Sequence, residues 1–592
     1  MTSEAVLTVA AKGGDFLIED RAPREIFTPE DYTDEQNMLA QTGRDFMERD
    51  VLPKTAEILK LNYEVIRELM GKAGEIGLLG IEVPEEYGGL ALGKVTGALA
   101  SEISAMEGSW AVTFMGHTGI GTLPITYFGT DEQKAKYLPK FATGEWISSY
   151  SLSEASSASD ALNAKARAVR SPDGKSWILN GEKMWLTNGG FADVYITFAK
   201  IDGEHFSAFI IDKGSPGVSL GPEERKLGIK GSSTRPLILQ DAVIPIENLL
   251  GEIGKGHKIA FNILNIGRFK LGAGTVGGAK ASLKVSCEYA KQRSAFGKKI
   301  SDFGLIQSKI GEMVARIFAA ESMAYRTAGM IDANLEGAHD NETCLKRIEE
   351  YDAECSMVKV FCSEVLDHVV DESVQILGGA GYVEDYPVER HFRDARINRI
   401  FEGTNEINRL LVPGRMVRRA LSGALPIFDA AMALLDELPP PGRPSAGDSG
   451  FLSTEVRLTK GAKKISLMLL ALAAQKFQAK LQDQQEVMGF FADVAIETYA
   501  LESALLRTLK KAERDGEAAA APFAAALRVF AEGAVSRIEA AARQALPTIE
   551  TGDMLATCMD GLARFTDRLP LAIIPLRRSL AALTLDKDAY PF

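Results

Sequence analysis

Val194-Tyr-Ile-Thr-Phe-Ala199 and Phe206-Ser-Ala-Phe-Ile-Ile211 are β-rich runs between turn clusters, in a chain whose patterning is otherwise helical. With Trp177-Ile-Leu-Asn-Gly181, read as a strand running into a turn, they mark a β region from about Trp146 to Leu250. Upstream, about Thr33 to Gly144 reads as helical: Ile66, Leu69, Met70 and Ala73 recur at helical spacing. Pro84 and the Glu85-Glu86-Tyr87-Gly88-Gly89 turn interrupt it, and Asp131 reads as the N-cap of a short helix through Lys136. Downstream, helical periodicity runs from about Gly256 to Leu435. A Pro/Gly/Ser-rich linker, Leu438 to Gly450, precedes an Ala- and Leu-rich helical region from Thr454 to Leu585. The expected fold is mainly α with an inserted β domain. Its expected divisions are an extension (1–32), a helical N-terminal domain (33–146), a β middle domain (147–252), a helical bundle (253–435), a linker (436–453) and a C-terminal helical domain (454–592).

The chain has 592 residues, more than one core holds, so two to four domains are expected. A net charge of −13 opposes general nucleic-acid binding while leaving room for a local phosphate pocket. The five cysteines, Cys287, Cys344, Cys355, Cys362 and Cys558, have no CxxC spacing and read as buried small side chains in a reducing compartment. Glu4, Asp15, Glu19 and Asp20 make the N-terminus too acidic for a transit peptide. The longest apolar stretch, Ile465 to Ala474, is far short of a membrane span, so a cytoplasmic protein is expected. The basic-then-apolar run from Glu455, with Arg457, Lys460, Lys463 and Lys464, has two readings: a packed helix, or weak peripheral membrane contact.

No metal site is expected: the six histidines are scattered and there is no HExxH, and Glu384, Asp385, Glu389 and His391 read as a solvated loop around Pro387. Gly272, Gly274 and Gly277 spell GxGxxG, but an amphipathic helix precedes them where a dinucleotide site needs a strand, so close helix packing is the better reading. There is no GxSxG elbow.

Four segments remain: Tyr150-Ser-Leu-Ser-Glu-Ala-Ser-Ser-Ala-Ser-Asp160; Lys183-Met-Trp-Leu-Thr-Asn-Gly-Gly190; Gln292-Arg-Ser-Ala-Phe-Gly297; and Gln375-Ile-Leu-Gly-Gly-Ala-Gly-Tyr382, followed by Tyr386 to Asp394 and Arg399-Ile-Phe-Glu-Gly-Thr-Asn-Glu-Ile407. Singly each is a capping loop, a packed Trp, a helix surface or a glycine turn. In this order and spacing, over about Thr33 to Leu421, they resemble the acyl-CoA dehydrogenase family. The acidic lead-in at Phe16 and Phe27 and the helical extension resemble its long- and very-long-chain branch.

The resemblance implies FAD as cofactor and a fatty acyl-CoA substrate oxidised to a trans-2-enoyl-CoA. A carboxylate takes the α-proton, the flavin takes the β-hydride, and an electron-transferring flavoprotein is the acceptor. It implies that Glu402 is the base, with burial raising its pKa toward the working pH. Some members place the base just before the Arg268 position; here Gly267 stands there and cannot serve. Arg268, Phe401, Gly403 and Ser159 are the implied substrate contacts. Tyr150, Leu152, Ser153 and Ser159 are implied on the flavin loop, with Trp185 covering the flavin, Thr187 near its N5, and Thr404 beside it. Ala155 and Ala158 depart from the usual Pro and Gly, which would cost strain if φ is positive there. Arg293, Phe296 and Gln307 resemble positions where one subunit reaches its partner's FAD, with Gln375, Gly378, Gly379 and Glu406 opposite, so a homodimer or higher is implied. A non-catalytic FAD-binding paralogue and an acyl-CoA oxidase are the alternatives.

Overall fold

The Gly256–Gln292 helix runs through the centre of the molecule, and its glycines explain how. A Cβ at Gly272 would collide with Val358, and one at Gly277 with the backbone carbonyl of Glu102. The GxGxxG string is therefore a packing surface, which lets the Asp352–Leu377 and Lys94–Ser104 helices approach on two sides. In the computed structural model, which describes residues 11–338, 340–436 and 450–592, the Gly304–Leu335 helix completes the bundle with Asn405–Leu421. The linker reading at 438–450 falls almost wholly outside the described residues.

The N-terminal helices include Asp34–Phe46, Tyr63–Glu75, Gly108–Met115 and Asp131–Thr143. The last of these corrects two expectations. Thr130, not Asp131, caps it, accepting a hydrogen bond from Gln133 N at 3.2 Å in a reciprocal capping box. The helix also continues to Thr143, since Pro139 lies late in it and Gly144 ends it at φ 73°.

The middle domain is an eight-stranded mixed sheet. Its path runs Val218–Leu220, Thr234–Pro245, Ser176–Thr187, Arg167–Arg170, Val194–Ile201, His205–Asp212 and Leu249–Leu250, with Ser148–Ser151 parallel to Val194–Ile201. The two central strands are buried on both faces, which is why they read as continuous apolar runs. The strand from Trp177 does not turn at Gly181. It passes through with a register shift between Leu179 and Gly181 and ends at Thr187, because glycine there takes φ 150° against Ala166. Glu389 and His391 also depart from the solvated-loop reading. Both lie on the Val388–Ala395 helix, where His391 Nδ1 meets Ser282 Oγ at 3.0 Å; Glu384 and Asp385 are exposed.

Five helices, Ser453–Phe477, Gln485–Asp515, Glu517–Ile549, Gly552–Phe565 and Ile573–Lys587, form the C-terminal region. The apolar face of the first is buried through Leu467, Met468 and Leu470. Its basic side chains are engaged within the protein: Arg457 donates to Asp567 O (2.7 Å), Lys460 pairs with Asp20 (2.9 Å), Lys463 pairs with Glu502 (2.5 Å) and Lys464 sits over the Phe565 ring. Glu517–Ile549 is long and apolar enough to cross a membrane, with mean hydropathy 1.3 over 18 residues of which 61% are buried. Arg528 and Arg537 tie it to Glu455 and Glu497. Four cysteines are buried and Cys344 is half-buried.

Residues 11–32 form a strap joining the C-terminal helices to the bundle. Fully buried Arg507 binds Glu30 of the strap and Glu321 of the bundle, each at 2.6 Å; Tyr590 donates to Glu321 at 2.9 Å, and Lys280 bridges Glu321 and Glu102. Removing the cation leaves two carboxylates in a dry environment. Arg507→Met is expected to destabilise the protein by about 3–5 kcal/mol, read as a lowered denaturation midpoint. An unchanged midpoint would show that the network is energetically idle.

Candidate active site

A cleft of about 1290 Å³ opens where the N-terminal helices, the sheet and the bundle meet. Pockets for one drug-sized molecule run roughly 300–1,000 Å³, so this cleft has room for a cofactor and a substrate together. The sheet side brings Tyr150, Leu152, Ser153 and Ser159 from the hydroxyl-rich loop and Trp185 and Thr187 from the end of a strand. The bundle side brings Arg268, Phe401, Glu402 and Gly403.

Glu402 sits in a tight turn ahead of the Asn405–Leu421 helix. It takes φ 58° and Gly403 takes φ 78°, two left-handed residues in succession. Such a conformation is unfavourable for a glutamate unless the surroundings over-determine it, and here they do. Gly403 O accepts from Lys359 Nζ and Asn408 Nδ2, both at 2.8 Å. Glu402 O accepts from Arg268 Nε at 3.3 Å and Asn408 Nδ2 at 3.4 Å. Thr404 caps the following helix through Ile407 N at 3.2 Å. Glu406 is exposed beyond it.

The Glu402 carboxyl has a different environment from its backbone. Its Oε2 is buried without a hydrogen-bond partner. Burial pushes the group up to about 7, against the opposing charges of Arg268 and Lys359. Gly267 makes the space: a Cβ there would lie 2.7 Å from Glu402 Oε2. The glycine where some family members carry a base is thus the gap into which this carboxylate fits.

Opposite, Tyr150 OH and Ser151 Oγ are buried and unpartnered. Trp185, at φ 60°, keeps 54% of its surface exposed beside the cleft, although a tryptophan is costly to leave wet. The unsatisfied Tyr150 hydroxyl and a bare indole along one wall fit a planar polar ring system such as a flavin. Ala155 and Ala158 are not among the residues with positive φ, so the alanines bring no backbone strain to the loop. Behind it, buried Lys183 binds Glu154 at 2.7 Å and Leu152 O at 3.1 Å, while Glu154 also accepts from Lys165 N and Ala166 N. Burial works to raise the Glu154 carboxyl, but Lys183 and these donors hold it below its ordinary value. Sequence reading missed the roles of Lys183, Glu154, Lys359 and Asn408; Lys183 and Glu154 lay in segments singled out, where their signal was a charge inside an otherwise strand-like run and a carboxylate among hydroxyls.

The remaining site candidates are not in this cleft. Arg293 is exposed and Phe296, 97% exposed, tips a two-stranded hairpin of Ser294–Ala295 and Lys298–Lys299. Gln307, in the first turn of the Gly304–Leu335 helix, donates to Ser301 O just ahead of it. Gln375, Gly378 (φ 62°) and Gly379 are exposed at the end of the Asp352–Leu377 helix, and the Lys309–Glu372 ion pair draws that end toward Gln307. They make a second face of the chain, separate from Glu402.

Family sequence models match this arrangement in order: the acyl-CoA dehydrogenase N-terminal domain at residues 33–145, the middle domain at 149–242, and two C-terminal domain models at 254–417 and 461–564. The chain belongs to the acyl-CoA dehydrogenase family. It is an oxidoreductase acting on the CH–CH bond of an acyl-CoA. A probable acyl-CoA dehydrogenase of Bacillus subtilis is 49% identical over 584 residues, 98% of each chain. The crystal structure of an acyl-CoA dehydrogenase complexed with FAD from Bacillus anthracis superposes with a TM-score of 0.96 at 48% identity, covering 98% of this chain and 100% of that one. The very long-chain specific mitochondrial enzyme of Macaca fascicularis is 37% identical over 73% of this chain and 68% of its own.

In this acyl-CoA dehydrogenase, Lys183 braces the loop that presents Ser153 and Tyr150. Lys183→Met is expected to leave Glu154 buried without its cation, at a cost of about 3–5 kcal/mol, and to loosen flavin retention. Flavin absorbance after dialysis, matched to that of the parent protein, would show that the brace does not matter to the cofactor.

Proposed function

We propose that this protein catalyses α,β-dehydrogenation of a fatty acyl-CoA to the trans-2-enoyl-CoA, as the first step of fatty-acid β-oxidation. Its electrons would pass to an electron-transferring flavoprotein. The observation that carries the reading is the Glu402 carboxyl: buried, unpartnered at Oε2, and facing a cleft wide enough for two ligands. The cofactor is FAD, and when bound it supplies the hydride acceptor. The protein's own contribution is positional and electrostatic. Glu402 holds and moves one proton at its carboxylate; the missing Cβ at Gly267 makes room for it; Arg268 and Asn408 fix its backbone. The Glu402 N–H is not consumed by any described backbone or side-chain bond, which leaves it free to meet a thioester oxygen on which charge develops.

Glu402→Gln is expected to keep FAD and bind acyl-CoA while losing about 10²–10⁴-fold in flavin bleaching by substrate. The sign of the pH dependence follows from the raised carboxyl. Below about 7 the base is protonated and idle, so bleaching should rise with pH through that value. Stopped-flow bleaching that ignores both the substitution and the pH would dismiss the assignment. Turnover with an electron-transferring flavoprotein against peroxide release separates a dehydrogenase from an oxidase.

The exposed Arg293, Phe296, Gln375 and Gly378 face supports a homodimer in which each chain completes its partner's cofactor site. Arg293→Ala should weaken flavin retention by about 1.5–3 kcal/mol, the worth of one charge-assisted hydrogen bond, and shift sedimentation toward monomer. Unchanged flavin content and unchanged sedimentation would place Arg293 on an ordinary surface.

A further inference from the structure

Lys359 is a buried lysine that the dehydrogenation chemistry does not call for. It projects from the Asp352–Leu377 helix, fully inaccessible to solvent, and its Nζ ends on two acceptors: Gly403 O at 2.8 Å and Asn405 Oδ1 at 2.7 Å. A lysine is strongly hydrated and seldom fully buried without a carboxylate partner. Among the described residues no carboxylate pairs with it, and its direct partners belong to the turn that carries Glu402 and the first residue of the helix after it. Asn405 is held from its other side, donating from Nδ2 to Ser363 Oγ at 3.1 Å and Glu364 Oε1 at 3.0 Å. The lysine is thereby clamped at its stem by the helix and at its head by the turn.

We propose that Lys359 is a positioning residue for the base: it locks the left-handed Glu402–Gly403 turn from below and sets how readily the Glu402 carboxyl gives up its proton. This rests on Glu402 being the base.

Two physical effects are joined in one side chain. The first is conformational. Asn408 also donates to Gly403 O, but the same amide reaches Glu402 O and Thr404 O, so Lys359 is the second, independent donor on that carbonyl and ties it to another helix. Without it, a non-glycine residue at φ 58° has less to offset its strain. The second is electrostatic. An ammonium below the turn favours the carboxylate form of Glu402. Burial pushes the lysine down to about 7, and Arg268 pushes the same way; Glu402, Glu364 and Glu406 push it up. The charged groups facing Glu402 are Arg268 from the central helix and Lys359 from the helix below, and Tyr150 faces it from the sheet with its phenol held well above the ordinary range by burial. Each charge favours the other's charged form: the ammonium lowers the carboxyl and the carboxylate raises the lysine.

The test uses the FAD-loaded protein with Lys359→Met, Lys359→Gln and Lys359→Arg beside Glu402→Gln. In Lys359→Met the acid limb of the bleaching profile should move to higher pH by about half a unit to one unit, and the limiting rate should fall about 10²-fold as the base loses its place. Lys359→Gln restores a donor without a charge. It should recover part of the rate while keeping the displaced limb, and it serves in place of the methionine variant if that one does not fold. Lys359→Arg keeps the charge and should return the limb toward its original pH. A second readout is independent of turnover. The Glu402 carboxyl band in infrared difference spectra, assigned by its loss in Glu402→Gln, should titrate at higher pH in Lys359→Met or Lys359→Gln. An unmoved limb and an unmoved band in the uncharged variants would overturn the proposal. If Glu402→Gln itself bleaches normally, it is the base assignment that fails.

Discussion

Glu402 keeps one carboxylate oxygen away from every donor among the described residues while its own backbone carbonyl, and that of Gly403, are caught from two sides. Those two demands pull in opposite directions. A base must be free at its reacting atom, and a group free at its reacting atom is hard to hold still. The solution is to fix the main chain and leave the side chain alone. Arg268, Asn408 and Lys359 all act on carbonyls, and a missing Cβ at Gly267 supplies the room. The fold places one of those three residues on each of three helices, so the turn is defined only when the bundle is assembled.

The sheet domain answers the base from across the cleft with a similar economy. The loop after Ser148–Ser151 spends its glutamate on its own backbone, Glu154 accepting from Lys165 N and Ala166 N, and takes a buried lysine from the neighbouring Ser176–Thr187 strand, Lys183 donating to Leu152 O. This leaves Tyr150 and Trp185 with unmet polar or apolar surface toward the cleft. Burying an ion pair is a poor way to gain stability. Here it stiffens a loop that would otherwise have neither a helix nor a regular strand to hold it.

Much of this was readable from the chain alone. The alternation of helical and strand patterning gave the order of domains, and the Phe-Glu-Gly-Thr turn was visible as a carboxylate beside a glycine ahead of a helix. What escaped were interactions that depend on a neighbour distant in sequence. Lys359 has no local signature, being one lysine in an apolar helix; its meaning comes from Gly403, 44 residues away. Glu389 and His391 looked solvated because Pro387 and charged neighbours flank them, yet their helix packs beside the central one and His391 finds Ser282, 109 residues earlier. Gly181 looked like a turn because glycine usually ends a strand pattern, whereas here it lets Ala166 pass close by. The errors share a cause: tertiary packing overruled a local preference.

The strap has a consequence for how the molecule is made. Arg507 and Glu30 are 477 residues apart, and Lys463 reaches Glu19 O across 444. Synthesis at roughly 5–20 residues per second puts tens of seconds between the emergence of the acidic strap and the arrival of the helix that neutralises it. Throughout that interval the nascent bundle has Glu321 without Arg507, so an early-made half waits on a late-made one. Closing so long a loop adds little equilibrium cost, since that cost grows only with the logarithm of length. The delay is instead one of order of events, with maturation of the centre gated by a helix made more than 400 residues after the strap.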